Sequence, residues 1–161
     1  MKKYTQSDFD NFEVDENGYK ICPSGDYTQI SDFGAVCSFG ARCRFGEGCR
    51  FGAGCSFDEK CSFENGAVKN GRYVAVDRIG SANRKAYFFM DEDGKMFVRA
   101  GCWFSDMAAF RERVKKVHAG TIHKKTYLAA CDFAELMLKE GARRVARRAI
   151  SNRTDNVITG G

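Results

Sequence analysis

The chain has 161 residues, 43% of them hydrophobic and 29% charged, with 26 Lys and Arg against 21 Asp and Glu and a formal net charge of +5. This length and apolar content suit one domain, or two small modules sharing a core, and a single proline with no biased tract excludes a long low-complexity linker. No apolar run approaches the roughly 20 residues needed to cross a bilayer, and the first eight residues turn polar and acidic instead of entering the apolar stretch of a secretory signal, so the sequence predicts a soluble cytoplasmic protein with no membrane partner.

The charge is unevenly placed. Residues 1–24 carry three basic and five acidic side chains, and residues 25–71 carry five and six. Residues 72–161 carry eighteen and ten, so the positive excess lies in the C-terminal half, where attraction to nucleic acid or to an acidic partner is expected.

Residues 1–24 are predicted to form an N-terminal cap. Phe9, Phe12 and Val14 supply apolar contacts, Asp15-Glu16-Asn17-Gly18 signals a turn, and Tyr19 to Cys22 alternates as a short strand does. The cap is needed because Gly25 to Gly66 consists of seven hexads in one register, with a small residue first, an aromatic third and often glycine fourth. Positions one and three lie two apart and so point to one side of an extended strand, while glycine at position four is expected to relieve the backbone where it bends. Cys37, Cys43, Cys49, Cys55 and Cys61 share the phase that earlier hexads fill with Gly25 and Ser31, so they are read as small reduced thiols. Zinc ligation competes with that reading, but the array has no Cys-x2-4-Cys pair, and no metal or cofactor is predicted.

This pattern resembles the hexapeptide-repeat left-handed β-helix, with Cys and Phe where that family usually places aliphatic residues. The resemblance implies three hexads per turn and hence columns of residues 18 apart: Tyr27-Phe45-Phe63, Phe33-Phe51 and Phe39-Phe57. It also places Arg44 over Asp26 and Arg50 over Asp32, which gives the repeat arginines a structural role. Many enzymes of that scaffold are acyltransferases with a histidine in the coil, and this array contains none.

Residues 67–150 are expected to pack on the repeat. Arg72 to Ile79, Lys85 to Met90 and Met96 to Phe104 read as three antiparallel strands joined by Gly80-Ser81-Ala82-Asn83 and Asp91-Glu92-Asp93-Gly94. Ser105 is the predicted cap of a helix carrying Met107, Phe110, Val114 and Val117 at helical spacing. A second helix begins near Lys124, with Tyr127, Cys131, Ala134 and Leu138 on one face, and Gly141 is expected to end or weaken it. Residues 151–161 lack an apolar period and are read as a flexible tail. The predicted class is therefore α+β: a short left-handed parallel β-helix of about two turns, then a three-stranded antiparallel sheet with two helices.

Three groups carry chemistry. His118 and His123 are candidates for a general base or for metal ligands, but they lack a nearby carboxylate in sequence and are flanked by Lys124 and Lys125. Cys102 is a candidate nucleophile without an evident activating partner. The stronger candidate is a basic helical face of Arg111, Lys115, Lys116, Lys124, Lys125, Arg143, Arg144, Arg147 and Arg148, suited to phosphates or to an acidic protein surface.

The Cys-x-Phe-Gly array, together with Arg78-Ile79-Gly80-Ser81-Ala82-Asn83-Arg84 and Val98 to Phe104, resembles small proteins of phages and other mobile elements. The resemblance spans about Gly25 to Leu138 and implies a non-enzymatic protein in the cytoplasm of a bacterial host. Its partner would be a host protein or ribonucleoprotein complex, as for anti-CRISPR and other counter-defence inhibitors. The alternatives are a nucleic-acid-binding accessory protein and a small enzyme built on Cys102 and the two histidines. The sequence leaves the oligomeric state open, a homo-oligomer included.

Overall fold

Small and aromatic side chains alternating at positions one and three of each hexad make a strand that is apolar on one side only, and such strands lower their free energy by stacking those sides into a common interior. The computed structural model, which describes residues 1–158, shows this stacking as parallel ladders. β1 (Lys20–Cys22), β3 (Cys37–Phe39) and β5 (Ser56–Phe57) form one ladder, and β2 (Asp26–Tyr27) and β4 (Arg44–Phe45) a second. An Asp32–Arg50 bridge marks a third side, and Arg44 pairs onward with Ser62. Partners such as Tyr27 and Phe45, or Phe39 and Phe57, are three hexads apart, so the chain rises one rung every three hexads. The entry rung is one residue shorter, Lys20 lying beside Cys37.

The interior is aromatic. Tyr27 stacks on Phe45 at 5.7 Å between ring centroids, Phe45 on Phe63 at 5.3 Å, Phe33 on Phe51 at 5.1 Å and Phe39 on Phe57 at 5.2 Å. Between columns the rings meet edge to face, as Phe39 and Phe45 do at 4.9 Å, the arrangement that ring quadrupoles favour. Cys22, Cys37, Cys43, Cys49 and Cys61 are buried among them as free thiols. Glycine at position four relieves the backbone as expected only at Gly34, which has φ +66° and nothing within 4 Å of a Cβ; at the other three the cause differs. Gly40, Gly46 and Gly52 are not among the glycines with positive φ, but a Cβ on them would stand 2.9 Å from Ser24, 2.8 Å from Thr28 and 2.5 Å from Gly34 respectively, so close approach of the rungs excludes a side chain.

Both ends of the coil are covered. At the start, Tyr4 stacks on Tyr27 at 5.0 Å, and Tyr4 and Asp26 exchange backbone bonds with the neighbouring turn, Tyr4 N–H donating to Asp26 and Asp26 N–H to Lys2. A short helix, α1 (Gln6–Asp10), absent from the sequence reading, follows a capping box in which Thr5 and Asp8 satisfy each other's backbone N–H groups. It buries Phe9 against Phe33, whereas Val14, expected to contribute, is 59% exposed.

At the other end the coil meets an antiparallel sheet of four strands in sequential order: β6 (Arg72–Ile79), β7 (Arg84–Met90), β8 (Met96–Ala100) and β9 (Trp103–Asp106). The expected third strand is two strands, because Gly101 adopts φ +61° and folds Trp103 back beside Ala100. One face of the sheet presents Tyr73, Tyr87 and Phe89 to the coil, with Tyr73 stacked on Phe51 at 5.7 Å. The opposite face presents Ala86, Phe88, Met90 and Val98 to the helices. The sheet is thus the middle layer between two cores. It also closes the open edge of the coil: the Phe51 N–H donates to Tyr87 Oη at 2.9 Å, and the Phe51 carbonyl accepts from Lys85 Nζ at 3.1 Å.

α2 (Met107–Val117) is capped by Asp106 rather than Ser105, the Asp106 carboxylate accepting from Ala109 N–H at 2.8 Å. It buries Met107, Phe110 and Val114, while Val117 is exposed. α3 (Ile122–Ile158) buries Cys131, Ala134 and Leu138 as their spacing predicts, with Tyr127 half-buried beside them. It does not end at Gly141, and it includes residues 151–158 that were expected in a tail; residues 159–161 lie outside the described residues. The molecule is therefore mixed α and β, with a parallel repeat and an antiparallel sheet. No helix among the described residues is long and apolar enough to cross a membrane.

Candidate interaction surface

The continuation of α3 creates the surface. Its first turns are held by the sheet through Ala130, Cys131, Ala134 and Leu138, but from Arg143 to Thr154 every residue is exposed. Residues 141–154 contain five arginines, at 143, 144, 147, 148 and 153, and no carboxylate. Alanines and Arg residues are strong helix formers, so this stretch stays helical despite Gly141, whose penalty is roughly 1 kcal/mol. Apolar residues accompany the charges: Val145 is 61% exposed and Ile150 65%. Nearer the body, Phe133, Leu136 and Met137 are exposed on the outer side of α3 at the three- and four-residue spacing that places them on one face.

The nine predicted basic residues are distributed over three environments. Arg111 is tied between the helices, its guanidinium 2.8 Å from Asp132 and 3.2 Å from Glu135, and these partners hold it charged, against its burial. Lys115 pairs with Glu112 along α2 at 2.8 Å and Arg144 with Glu140 along α3 at 3.4 Å, both in solvent. Lys116 and Lys125 are exposed and Lys124 half-buried near the turn between the helices, while Arg143, Arg147 and Arg148 are exposed on the outer part of α3. The structure therefore gathers the arginines at 143–148 on one helical segment, and places Arg111 in an internal clamp.

The chemistry-bearing candidates lie elsewhere. His118 caps α2, with its ring 5.9 Å from that of His123 and 5.5 Å from that of Tyr127. Cys102 is exposed at the turn between β8 and β9, and it shares with His118 a cavity of about 200 Å³ also lined by Trp103 and Arg113. The Cys102 carbonyl accepts from Arg99 Nη1 at 3.0 Å. No cluster of three or more His, Cys, Asp or Glu suited to a metal ion occurs among the described residues. Burial pushes the Cys22 and Cys49 thiols up to about 12, and Cys37 and Cys131 to about 11, the reverse of what a nucleophilic thiolate needs.

Sequence reasoning missed one charged constellation. Arg99, only 6% exposed, donates from Nε to Glu64 Oε1 at 3.1 Å and from Nη2 to Glu64 Oε2, and reaches Glu47 at 3.4 Å. Glu64 is equally buried and also accepts from the Gly48 N–H at 3.2 Å. The pair pins the last rung of the coil to β8, and Glu64 raises the affinity of Arg99 for its proton although burial opposes this. Neither residue belongs to a local motif, so only the folded arrangement brings them together.

No protein family, curated protein or solved structure matches the chain.

Proposed function

We propose that this is a non-enzymatic binding protein that uses the outer part of α3 to engage the acidic surface of a protein partner. The observation that carries the reading is a helical segment that is fully exposed, carries five arginines without a carboxylate, and mixes them with exposed Val145 and Ile150. Charge supplies steering and register, and the aliphatic groups supply an apolar contact of the kind found at the centre of protein interfaces. A purely phosphate-binding helix has no use for those aliphatic side chains, which favours a protein over nucleic acid.

On this reading the repeat is a short left-handed β-helix of the hexapeptide type, serving as a rigid support. The resemblance of the array and of the segments around Gly80 and Gly101 to phage and mobile-element proteins supports a partner in the bacterial cytoplasm, a host protein or ribonucleoprotein of a defence system, and hence an inhibitor of the anti-CRISPR kind. The test is capture from host lysate with and without nuclease, using the full chain and a variant with Arg143, Arg144, Arg147 and Arg148 all changed to Glu. The expected result is a nuclease-resistant complex that the variant loses by at least about tenfold in affinity, with unchanged circular dichroism. A complex that the variant retains excludes this surface, and binding that disappears with nuclease and follows salt as phosphate contacts do would transfer the role to nucleic acid.

A further inference from the structure

A groove of about 630 Å³ opens where one side of the coil meets the ends of β7 and β8. Its volume falls in the range of small-molecule sites, roughly 300–1,000 Å³. The coil contributes Asp32, Arg50 and the backbone at Gly34, Gly48 and Gly52; the sheet contributes Arg84, Lys85, Tyr87 and Arg99. The coil wall here is backbone without side chains at Gly34 and Gly48, whose φ of +66° and +64° favour glycine. Four cations thus face one carboxylate.

The cations differ in what already engages them. Arg99 is committed to Glu64 and Glu47. Arg50 holds Asp32 at 2.9 Å in an exposed pair. Lys85 gives one hydrogen to the Phe51 carbonyl and keeps two. Arg84 is exposed and makes no ion pair among the described residues. Its guanidinium lies against Gly101, with Nη1 2.8 Å from where a Cβ would stand, at the mouth of the groove. Arg84 also lines the adjoining cavities beside Cys102 and beside Ser81, which makes it the residue common to all three depressions.

We propose that this groove binds a phosphorylated small molecule, with the phosphate held by Arg84 and Lys85 and approached by Arg50. Once Asp32, Glu47 and Glu64 are counted a positive surplus remains, carried by Arg84 and Lys85, which have no acidic partner among the described residues, and a guanidinium fork beside an ammonium suits phosphate oxygens. The site is separate from α3 and does not depend on the partner assigned to that helix. No chemical step is assigned to it, its one lining carboxylate, Asp32, being paired with Arg50.

The sole tryptophan, Trp103, lines the neighbouring cavity with Arg84, so its emission serves as the reporter. The full chain is titrated with inorganic phosphate, pyrophosphate and ATP at low and at physiological salt, by tryptophan fluorescence and calorimetry. Saturable binding of pyrophosphate and ATP with similar affinity supports recognition of the phosphates alone; ATP binding more tightly adds a contact to the nucleoside. Arg84→Gln is expected to weaken either by about tenfold or more, and Arg50→Gln by less, since it is already paired. Both positions are exposed, and unchanged thermal midpoints establish that the variants fold. Arg143→Gln with Arg147→Gln on α3 should leave the affinity unchanged. Absence of saturable binding by all three anions overturns the proposal, as does equal weakening by the α3 changes, which would mean diffuse attraction to a basic protein.

Discussion

The coil and the outer part of α3 are opposite solutions to the placement of side chains. Between Gly25 and Gly66 the third residue of every hexad is an aromatic ring packed into the interior, and its neighbours along the column fix its position; between Arg143 and Thr154 no side chain is buried. Packing alone accounts for the first pattern, down to the glycines that let rungs approach. Packing accounts for little in the second, whose arginines and aliphatic groups are exposed, Val145 alone lining a cavity with the last hexads and β6. The most regular part of this sequence is thus the least informative about a partner, and the least regular helical part is the most informative.

The contrast can be broken most forcefully in the coil. Phe45 is fully buried, stacked between Tyr27 and Phe63 and edge-on to Phe39 and Phe51. Phe45→Ala is expected to cost about 3–5 kcal/mol in urea denaturation, a large share of the stability of a domain this size. A loss under 1 kcal/mol would mean that the columns are not the core.

Next in size is the buried pair that joins coil to sheet. Arg99→Met leaves the Glu64 carboxylate without its partner and should cost about 3 kcal/mol, most of which a second change, Glu64→Gln, restores. If the double variant is no better than the single, Arg99 acts by packing on Phe104 rather than by charge.

Over a single pH unit the thiols give a smaller, pH-dependent signature. Folding raises the Cys22 thiol from the ordinary 9.0 to about 12 and Cys49 likewise, so the unfolded chain loses these protons first. Their contribution is fully present below pH 9 and is lost as pH rises toward 12, at up to about 1.4 kcal/mol per proton and pH unit. Urea midpoints should therefore be flat from pH 7 to 9 and fall above it, less steeply in Cys22→Ala. A midpoint that keeps rising above pH 9 contradicts the burial of these groups.

Least affected should be stability on α3. Arg147→Ala is expected to change it by no more than about 0.5 kcal/mol, because the side chain is exposed and makes no ion pair among the described residues. A larger change would show that the segment docks on the body.

The coil was legible because one period governs it: the columns Tyr27-Phe45-Phe63, Phe33-Phe51 and Phe39-Phe57 and the Arg50–Asp32 pair follow from counting eighteen residues. What was not legible depended on single backbone angles or on distant pairs. The run from Met96 through Phe104 is apolar or small throughout except at Arg99, so nothing in hydropathy marks the reversal that a left-handed Gly101 produces. Gly141 reads as a stop, yet the strong helix formers around it carry α3 past that cost. On the candidate surface, the arginines at 143–148 were visible as a stripe. The internal role of Arg111 was not, since its acceptors Asp132 and Glu135 lie on another helix. The Arg99–Glu64 pair spans 35 residues and obeys no periodicity.

The end structures meet the coil mainly at its terminal positions: Tyr4 at Asp26 at the start, and Tyr87 and Arg99 at Phe51 and Glu64 at the finish, with Arg99 also reaching Glu47 one rung earlier. The coil is accordingly a spacer of adjustable height. Three added hexads in register would raise the sheet by one strand spacing, about 4.8 Å, and return it to the same heading. One added hexad would instead swing the sheet and helices to the next side of the coil, about a third of a revolution, and point the arginines of α3 in a new direction.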